Sequence, residues 1–369
     1  MSLIDDLRAR VPEMLDALAL LVGTESPSSD PAAGAACAEV AAGLVEGALG
    51  HKAERIEVDG RNHLRWIFGG SPRAVIVGHI DTVWPLGTLE RWPFEVEGDN
   101  ATGPGCFDMK GGVVQALFAL QSLDSLDGIA LVLTTDEELG SPTSRGLIGE
   151  TVRGAEAVLV AEPSAEGSLK TSRKGVSAYR VTITGRAAHA GLDPEKGINA
   201  AVELAHQVLA IGELADPTAA TTVTPSVITA GTTSNTVPGR ALLDVDVRAF
   251  TAEEQERVDA SIRSLTPHLD GVAISVERVA TTSPLERSSS ADLYARAQRV
   301  AEDLGLPALS EKSVGGGSDG NFTAGLGIPT LDGLGAVGGN AHAEGEWISV
   351  AAMPERAALL AALLGDLMG

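Results

Sequence analysis

Aromatic residues make up only 3% of this 369-residue chain, and cysteine occurs twice, as Cys37 and Cys106. Positive charge is also scarce, with 27 Lys+Arg against 50 Asp+Glu and a formal charge of −23. Binding phosphates on nucleic acid or an anionic membrane needs clustered Lys/Arg, and stacking on bases needs aromatic faces, so both partners are set aside. Two cysteines cannot build a disulfide framework and suit a reducing compartment. The N-terminus carries Asp5, Asp6 and Glu13 and lacks a basic region followed by an apolar run. No stretch approaches the ~20 consecutive apolar residues of a membrane span, so the expectation is a soluble, cytoplasmic protein.

Core-building material is ample, at 44% hydrophobic residues, and the length allows one large domain or two to three ordinary ones. An amphipathic helix opens the chain and a second is expected over 31–49. Short, β-branched apolar runs follow at 63–68, 74–80, 129–135 and 157–162, with a helical stretch at 111–123. Strands alternating with helices predict an α/β fold with a mostly parallel sheet covered on both faces. From about residue 174 the order becomes strand 176–185, helix 198–214, strands 221–231 and 240–250, helix 251–265 and strand 272–280. That β-α-β-β-α-β order is the split unit of ferredoxin-like domains. A helix near 291–305, a glycine-rich segment at 315–327, a short strand at 328–331 and a last helix at 350–368 resume the first pattern. The expectation is therefore one α/β domain, residues 1–173 and 285–369, interrupted by an α+β domain at 174–284.

Chemistry gathers where the apolar strands end. In AVIVGHIDTV, His79 and Asp81 leave an extended chain on one face, the spacing at which a carboxylate can hold the second ring N–H of a metal-bound imidazole; a core histidine beside a turn aspartate fits HxD equally well. GPGCFDMKGG places Asp108 in a glycine-rich loop before a helix, where its two oxygens could bridge two ions; neither nucleotide-loop pattern is present. IALVLTTDEELGS ends a buried strand with Asp136, Glu137 and Glu138, three acids that repel one another unless a cation sits among them. Glu137 and Glu138 can share a site only if the chain leaves β geometry there. AVLVAEPS delivers Glu162 at another strand end, and GGNAHAEGEWI places His342 in a late loop; each alone is an ordinary turn residue. As a set, two imidazoles and three carboxylates are a mixture zinc accepts. Three carboxylates, two Zn²⁺ and one hydroxide sum to zero charge, which favours two ions over one.

In these segments, together with GRAAHAGLDPEKGINA, NTVPGR and GGGSDG, all in the same order, the chain resembles the dinuclear zinc carboxypeptidase and aminoacylase superfamily. It is most similar to the glutamate carboxypeptidases of the carboxypeptidase G type. The resemblance implies a zinc-peptidase catalytic domain, in two parts, with an inserted dimerisation (lid) domain in a homodimer. It implies that Asp108 bridges two Zn²⁺ per subunit, with Co²⁺ or Mn²⁺ as alternatives. His79 and Glu162 would complete one ion, Glu138 and His342 the other. Asp81 would orient His79, Glu137 would be the general acid/base, and the Asp108–Met109 peptide would be cis. His189 would reach the partner's site and polarise the substrate carbonyl with Asn235 nearby. Gly315, Gly316 and Gly317 would let backbone approach substrate, and Lys174 is a weaker candidate.

Arg248, on the alternating strand LLDVDVRAF, is a candidate for a substrate carboxylate, unless it pairs with Asp244 or Asp246. The substrate implied is a small peptide or N-acyl amino acid, cut at an amide beside a free carboxylate. An N-acyl amino acid deacylase or desuccinylase is the alternative, and a catalytically silent binding protein a third reading, disfavoured because Asp81 and Glu137 are both present. Two positions depart from the glutamate carboxypeptidase pattern. Ser283-Pro284 stands where an arginine is expected, with Arg287 displaced, and Met109 follows the bridging acid.

Overall fold

A computed structural model describes residues 2–369. The amphipathic segment at the N-terminus forms two helices, Leu3–Ala9 and Val11–Val22, broken at Arg10. Pro12, in the first turn of the second helix, has no N–H to carry the first one onward. Helix Pro31–Leu49 starts at Asp30, whose carboxylate accepts the N–H groups of Ala32 and Ala33 at 3.0 and 3.1 Å. Such a cap is worth about 1 kcal/mol. By length and composition this helix could cross a membrane. In the fold its face of Cys37, Ala38, Ala41, Ala42 and Val45 is buried in the core, while Glu39 pairs with Arg55 at 2.7 Å.

Contacts divide the chain into two compact units: one of residues 1–172, 287–314 and 318–369, and one of 173–286 and 315–317. The first unit is built on a six-stranded sheet in the order Glu54–Val58, Arg61–Phe68, Ile129–Thr134, Ala74–His79, Ala157–Val160, Thr330–Leu331. The first two pairings are antiparallel and the remaining three parallel. Strict alternation sends Val75, Val77, Val132, Val158 and Val160 into one cluster with Leu147 and Ile148. Ile76, Leu131, Leu133 and Leu159 enter a larger one with helices Gly111–Gln121 and Ala352–Met368. Both faces are thus covered, which is why these strands read as continuous apolar runs.

The parallel register aligns the strand ends. His79 pairs with Thr134, and Val77 with both Val132 and Val160, so three adjacent strands end at one edge of the sheet. Helix Gly111–Gln121 lies tight beneath that edge, and a Cβ at Gly112 would collide with the carbonyl oxygen of Ala161. Glycine there lets the segment after Asp108 touch the segment before Glu162.

The second unit has a four-stranded antiparallel sheet in the order Thr222–Ala230, Arg240–Ala249, Gly175–Thr184, Ala273–Thr282. Helices Ala200–Gly212 and Ala252–Arg263 cover it through Leu204, Ile211, Val258 and Ile262. Numbered in chain order its strands run 2-3-1-4, the ferredoxin-like arrangement.

Gly112→Ala is expected to lose about 1–3 kcal/mol of stability through overpacking. Gly146→Ala, in helix Arg145–Thr151 where a Cβ meets nothing within 4 Å, is expected to gain about 0.4–1 kcal/mol. Urea unfolding of the two variants checks both signs.

Candidate metal centre

The edge where the three parallel strands stop carries the chemistry. His79 is the last residue of its strand and is fully buried. Its Nδ1 lies 3.0 Å from the backbone oxygen of Asp81 and 3.4 Å from Asp81 Oδ1, so Nδ1 carries the ring proton. In the neutral ring Nε2 then presents a lone pair, and it faces Asp108 Oδ1 at 3.2 Å and Glu162 Oε1 at 3.6 Å. The other oxygen of Asp108, Oδ2, lies 3.4 Å from His342 Nε2, which is 3.0 Å from Glu138 Oε1. Asp108 thus turns one oxygen to each imidazole, with Glu162 on the His79 side and Glu138 on the His342 side.

Acceptors facing acceptors need a proton or a metal cation between them, and the pull of the carboxylates on both histidines expresses that demand. Burial depresses the His79 pKa, but hydrogen bonds to Asp108, Asp81 and Glu162 lift it well above the ordinary value. Asp108 first and Glu138 second push His342 up to about 10. Ligand atoms of His79, Asp108 and Glu138 all fall within 4.8 Å of one another, as do those of His79, Glu137 and Glu162. Mixed imidazole and carboxylate donors at this spacing fit a divalent ion such as zinc.

The acidic segment leaves β geometry after Thr134, and Glu137–Leu139 forms one helical turn. That turn brings Glu137 and Glu138 to the same side, with Glu137 Oε2 4.0 Å from His79 Nε2. Asp136 goes elsewhere: its carboxylate accepts the backbone N–H and hydroxyl of Thr143, both at 2.7 Å, and the Ser144 hydroxyl at 2.5 Å. The third acid of the run is satisfied by neutral donors and does not face the cluster of His79, Asp108, Glu138 and Glu162. Asp81 also contacts more than His79. Its buried carboxylate accepts the Ser28 hydroxyl at 2.6 Å and the N–H groups of Glu137 and Glu138, each at 3.2 Å, tying strand end to acidic turn. Burial raises the pKa of Glu137 well above the usual carboxylate range, reinforced by the charges of Glu162, Asp319 and Asp108. The Asp108–Met109 peptide is cis.

Sequence reasoning overlooked three neighbours of this cluster. Lys170 brings its Nζ within 3.5 Å of Glu162 Oε2. Asp319, from the GGGSDG segment, is buried, accepts the Ser141 hydroxyl at 2.5 Å, and has its pKa pushed by burial to about 6. Glu346 lies fully buried in the AHAEGEW segment. The motifs containing Asp319 and Glu346 were visible, but only contacts distant in sequence single those residues out.

The remaining candidates belong to the second unit. His189 and Asn235 are neighbours there: His189 pairs with Thr236, and the Ala190 N–H donates to the Asn235 oxygen at 2.9 Å. His189 Nδ1 accepts the N–H groups of Gly191 and Leu192 at 3.1 Å each, leaving Nε2 to carry the proton on an exposed ring. Arg248 takes its pairing alternative, donating from Nε to Asp246 Oδ1 at 2.9 Å. The Gly316 and Gly317 carbonyls accept from Arg173 at 3.1 and 3.0 Å. Arg287, the arginine displaced from Ser283, is held in the first unit by Glu311 at 2.5 Å.

Residues 75–366 match the model of Peptidase family M20/M25/M40. The chain belongs to that family. Carboxypeptidase G2 of Pseudomonas sp. (strain RS-16) is 33% identical over 312 residues, covering 81% of this chain and 74% of that protein. Succinyl-diaminopimelate desuccinylase of Leptothrix cholodnii is 29% identical over 338 residues, covering 83% of this chain and 85% of its own length. Among solved structures, aminopeptidase PepT from Bacillus cereus ATCC 10987 superposes with a TM-score of 0.75 at 21% identity, covering 97% of this chain and 99% of that one. This M20 chain is accordingly a hydrolase of the peptidase or amidohydrolase type.

Zinc added to chelator-stripped protein is expected to raise Tm. Free ion at a hundred times its Kd should add about 2.7 kcal/mol. His342→Ala should reduce that gain, and calorimetric melts with and without zinc measure it.

Proposed function

We propose that this protein is a dizinc hydrolase that cleaves an amide or peptide bond beside a free carboxylate, in the manner of a glutamate carboxypeptidase. The observation that supports it best is the placement of Asp108, one oxygen toward His79 and Glu162 and the other toward His342 and Glu138. Asp108 would be shared by two ions, His79 and Glu162 holding one, Glu138 and His342 the other. Bound there, the ions would supply Lewis-acid polarisation of the carbonyl and lower the pKa of water.

The chain's own residues do the rest. The Asp81 carboxylate fixes the Glu137 backbone, so the Glu137 carboxylate stands beside the ligand cluster as general acid/base. It takes a proton from the attacking water and returns it to the departing nitrogen. His189 donates from Nε2 to the substrate carbonyl across the interface of a homodimer formed through the second unit, with Asn235 beside it. Arg248 remains a weaker choice for the substrate carboxylate, because Asp246 already engages its Nε. The free, buried cysteines Cys37 and Cys106 suit a cytoplasmic setting.

Desuccinylation of an N-succinyl amino acid is the second reading. It is favoured by the likeness to the desuccinylase over 83% of the chain and by Ser283 in place of an arginine. Comparing kcat/KM on acylglutamates, dipeptides and N-succinyl amino acids separates the two. Glu137→Gln is expected to lower kcat at least a hundredfold with metal content unchanged; activity within tenfold of wild type would overturn the assigned base. Light scattering is expected to give the mass of a dimer, and His189→Ala to lower kcat far more than it raises KM.

A further inference from the structure

We propose that Glu346 is the positioning residue that sets Asp108 and His342 relative to each other, and with them the spacing of the two metal positions; this rests on the dinuclear reading above. Its fully buried carboxylate is filled by four N–H donors. Oε1 accepts from the backbone of Phe107 at 2.7 Å and of Asp108 itself at 2.9 Å. Oε2 accepts from the Gly105 backbone at 3.0 Å and from Trp84 Nε1 at 2.9 Å. All four donors are neutral, so the charge is kept in place by geometry alone, in a setting where an unmet carboxylate costs several kcal/mol.

The placement is fixed from both sides. Strand Trp347–Ser349 pairs antiparallel with Asn100–Thr102, Trp347 opposite Thr102, which delivers residue 346 to the start of the loop carrying Asp108. The Gly103 N–H continues the pairing to the Glu346 oxygen at 3.4 Å. On the other side, the Glu346 N–H closes a turn onto Ala343 at 3.1 Å, and Asn340 Nδ2 braces the same turn on the Gly345 oxygen at 3.1 Å. His342 projects from that turn to Asp108 Oδ2. One side chain therefore grips the backbone of the shared ligand while its own backbone carries the loop of another. The four N–H groups need acceptor lone pairs on both oxygens. A glutamine offers one oxygen and turns its NH₂ against the other two donors.

The test is Glu346→Gln in the full chain, with cobalt as the spectroscopic probe and zinc titrated against a chromophoric chelator. The ion bound second is expected to bind at least tenfold more weakly, the visible cobalt spectrum to change shape, and kcat at saturating metal to fall at least tenfold while KM stays within threefold. Leu293→Ala, a core truncation in helix Arg287–Asp303, should lower Tm without changing the spectrum. Should Glu346→Gln fail to fold, Trp84→Phe, which removes one donor and keeps an aromatic ring, decides by the same readouts with an expected threefold loss of affinity. Wild-type affinity and an unchanged spectrum in the folded variant overturn the role of Glu346 and leave the dinuclear reading intact. A wild-type protein that takes up no metal overturns the dinuclear reading and this one together.

Discussion

Carboxylates converging on the Nε2 atoms of two imidazoles are the constraint to which the first unit is shaped. Two like charges 4 Å apart repel by about 4 kcal/mol at an effective dielectric of 20. Asp108, Glu138 and Glu162 would drive their supporting segments apart unless a cation neutralised them. A protein can keep such a cluster only by making its scaffold stiff, and the parallel sheet provides that stiffness. Three neighbouring strands in fixed register stop together, and the glycine beneath Ala161 draws the helix after Asp108 against the strand before Glu162.

Around the cluster runs a layer of neutral donors that holds acids without competing for cations. Asp81 is held by Ser28 and two backbone N–H groups, Asp136 by Thr143 and Ser144, Asp319 by Ser141 and Glu346 by the Asp108 loop. The Asp136 branch extends further. The Thr143 hydroxyl gives its proton to Asp136, so His63 Nε2, 2.9 Å away, must donate to it. His63 Nδ1 then accepts the Thr135 N–H at 3.3 Å, and burial keeps this ring neutral by lowering its pKa. His63 and the pair His79 and His342 thus stand in opposite settings, one beside a hydroxyl and the others among carboxylates.

Much of the fold was legible because burial on both faces writes itself as apolar runs: strands expected at 74–80 and 129–135 end one residue earlier, at His79 and Thr134. The acids of the cluster were legible for the same reason, since acids at the ends of such runs stand out. Strand Glu54–Val58 escaped notice because it is a mostly exposed edge rich in charge, with no apolar signature. The pairing of Leu169–Arg173 with Glu311–Val314 was hidden by distance along the chain. The divergent fates of Asp136 and Glu137, adjacent and chemically alike, depend on where a helical turn begins, and period-two reasoning carries no information about that. Arg248 was balanced between ligand and ion pair from sequence, and the geometry of Asp246 decides the pairing.

The short strand pair linking Asn100–Thr102 to Trp347–Ser349 also has a bearing on time. His79, Asp108, Glu138 and Glu162 all precede the second unit in the order of synthesis, whereas His342 and Glu346 come after it. A growing chain therefore holds the acids before it holds the imidazole that faces two of them or the carboxylate that grips their loop. The cluster is complete only once that late segment has been made, after the second unit.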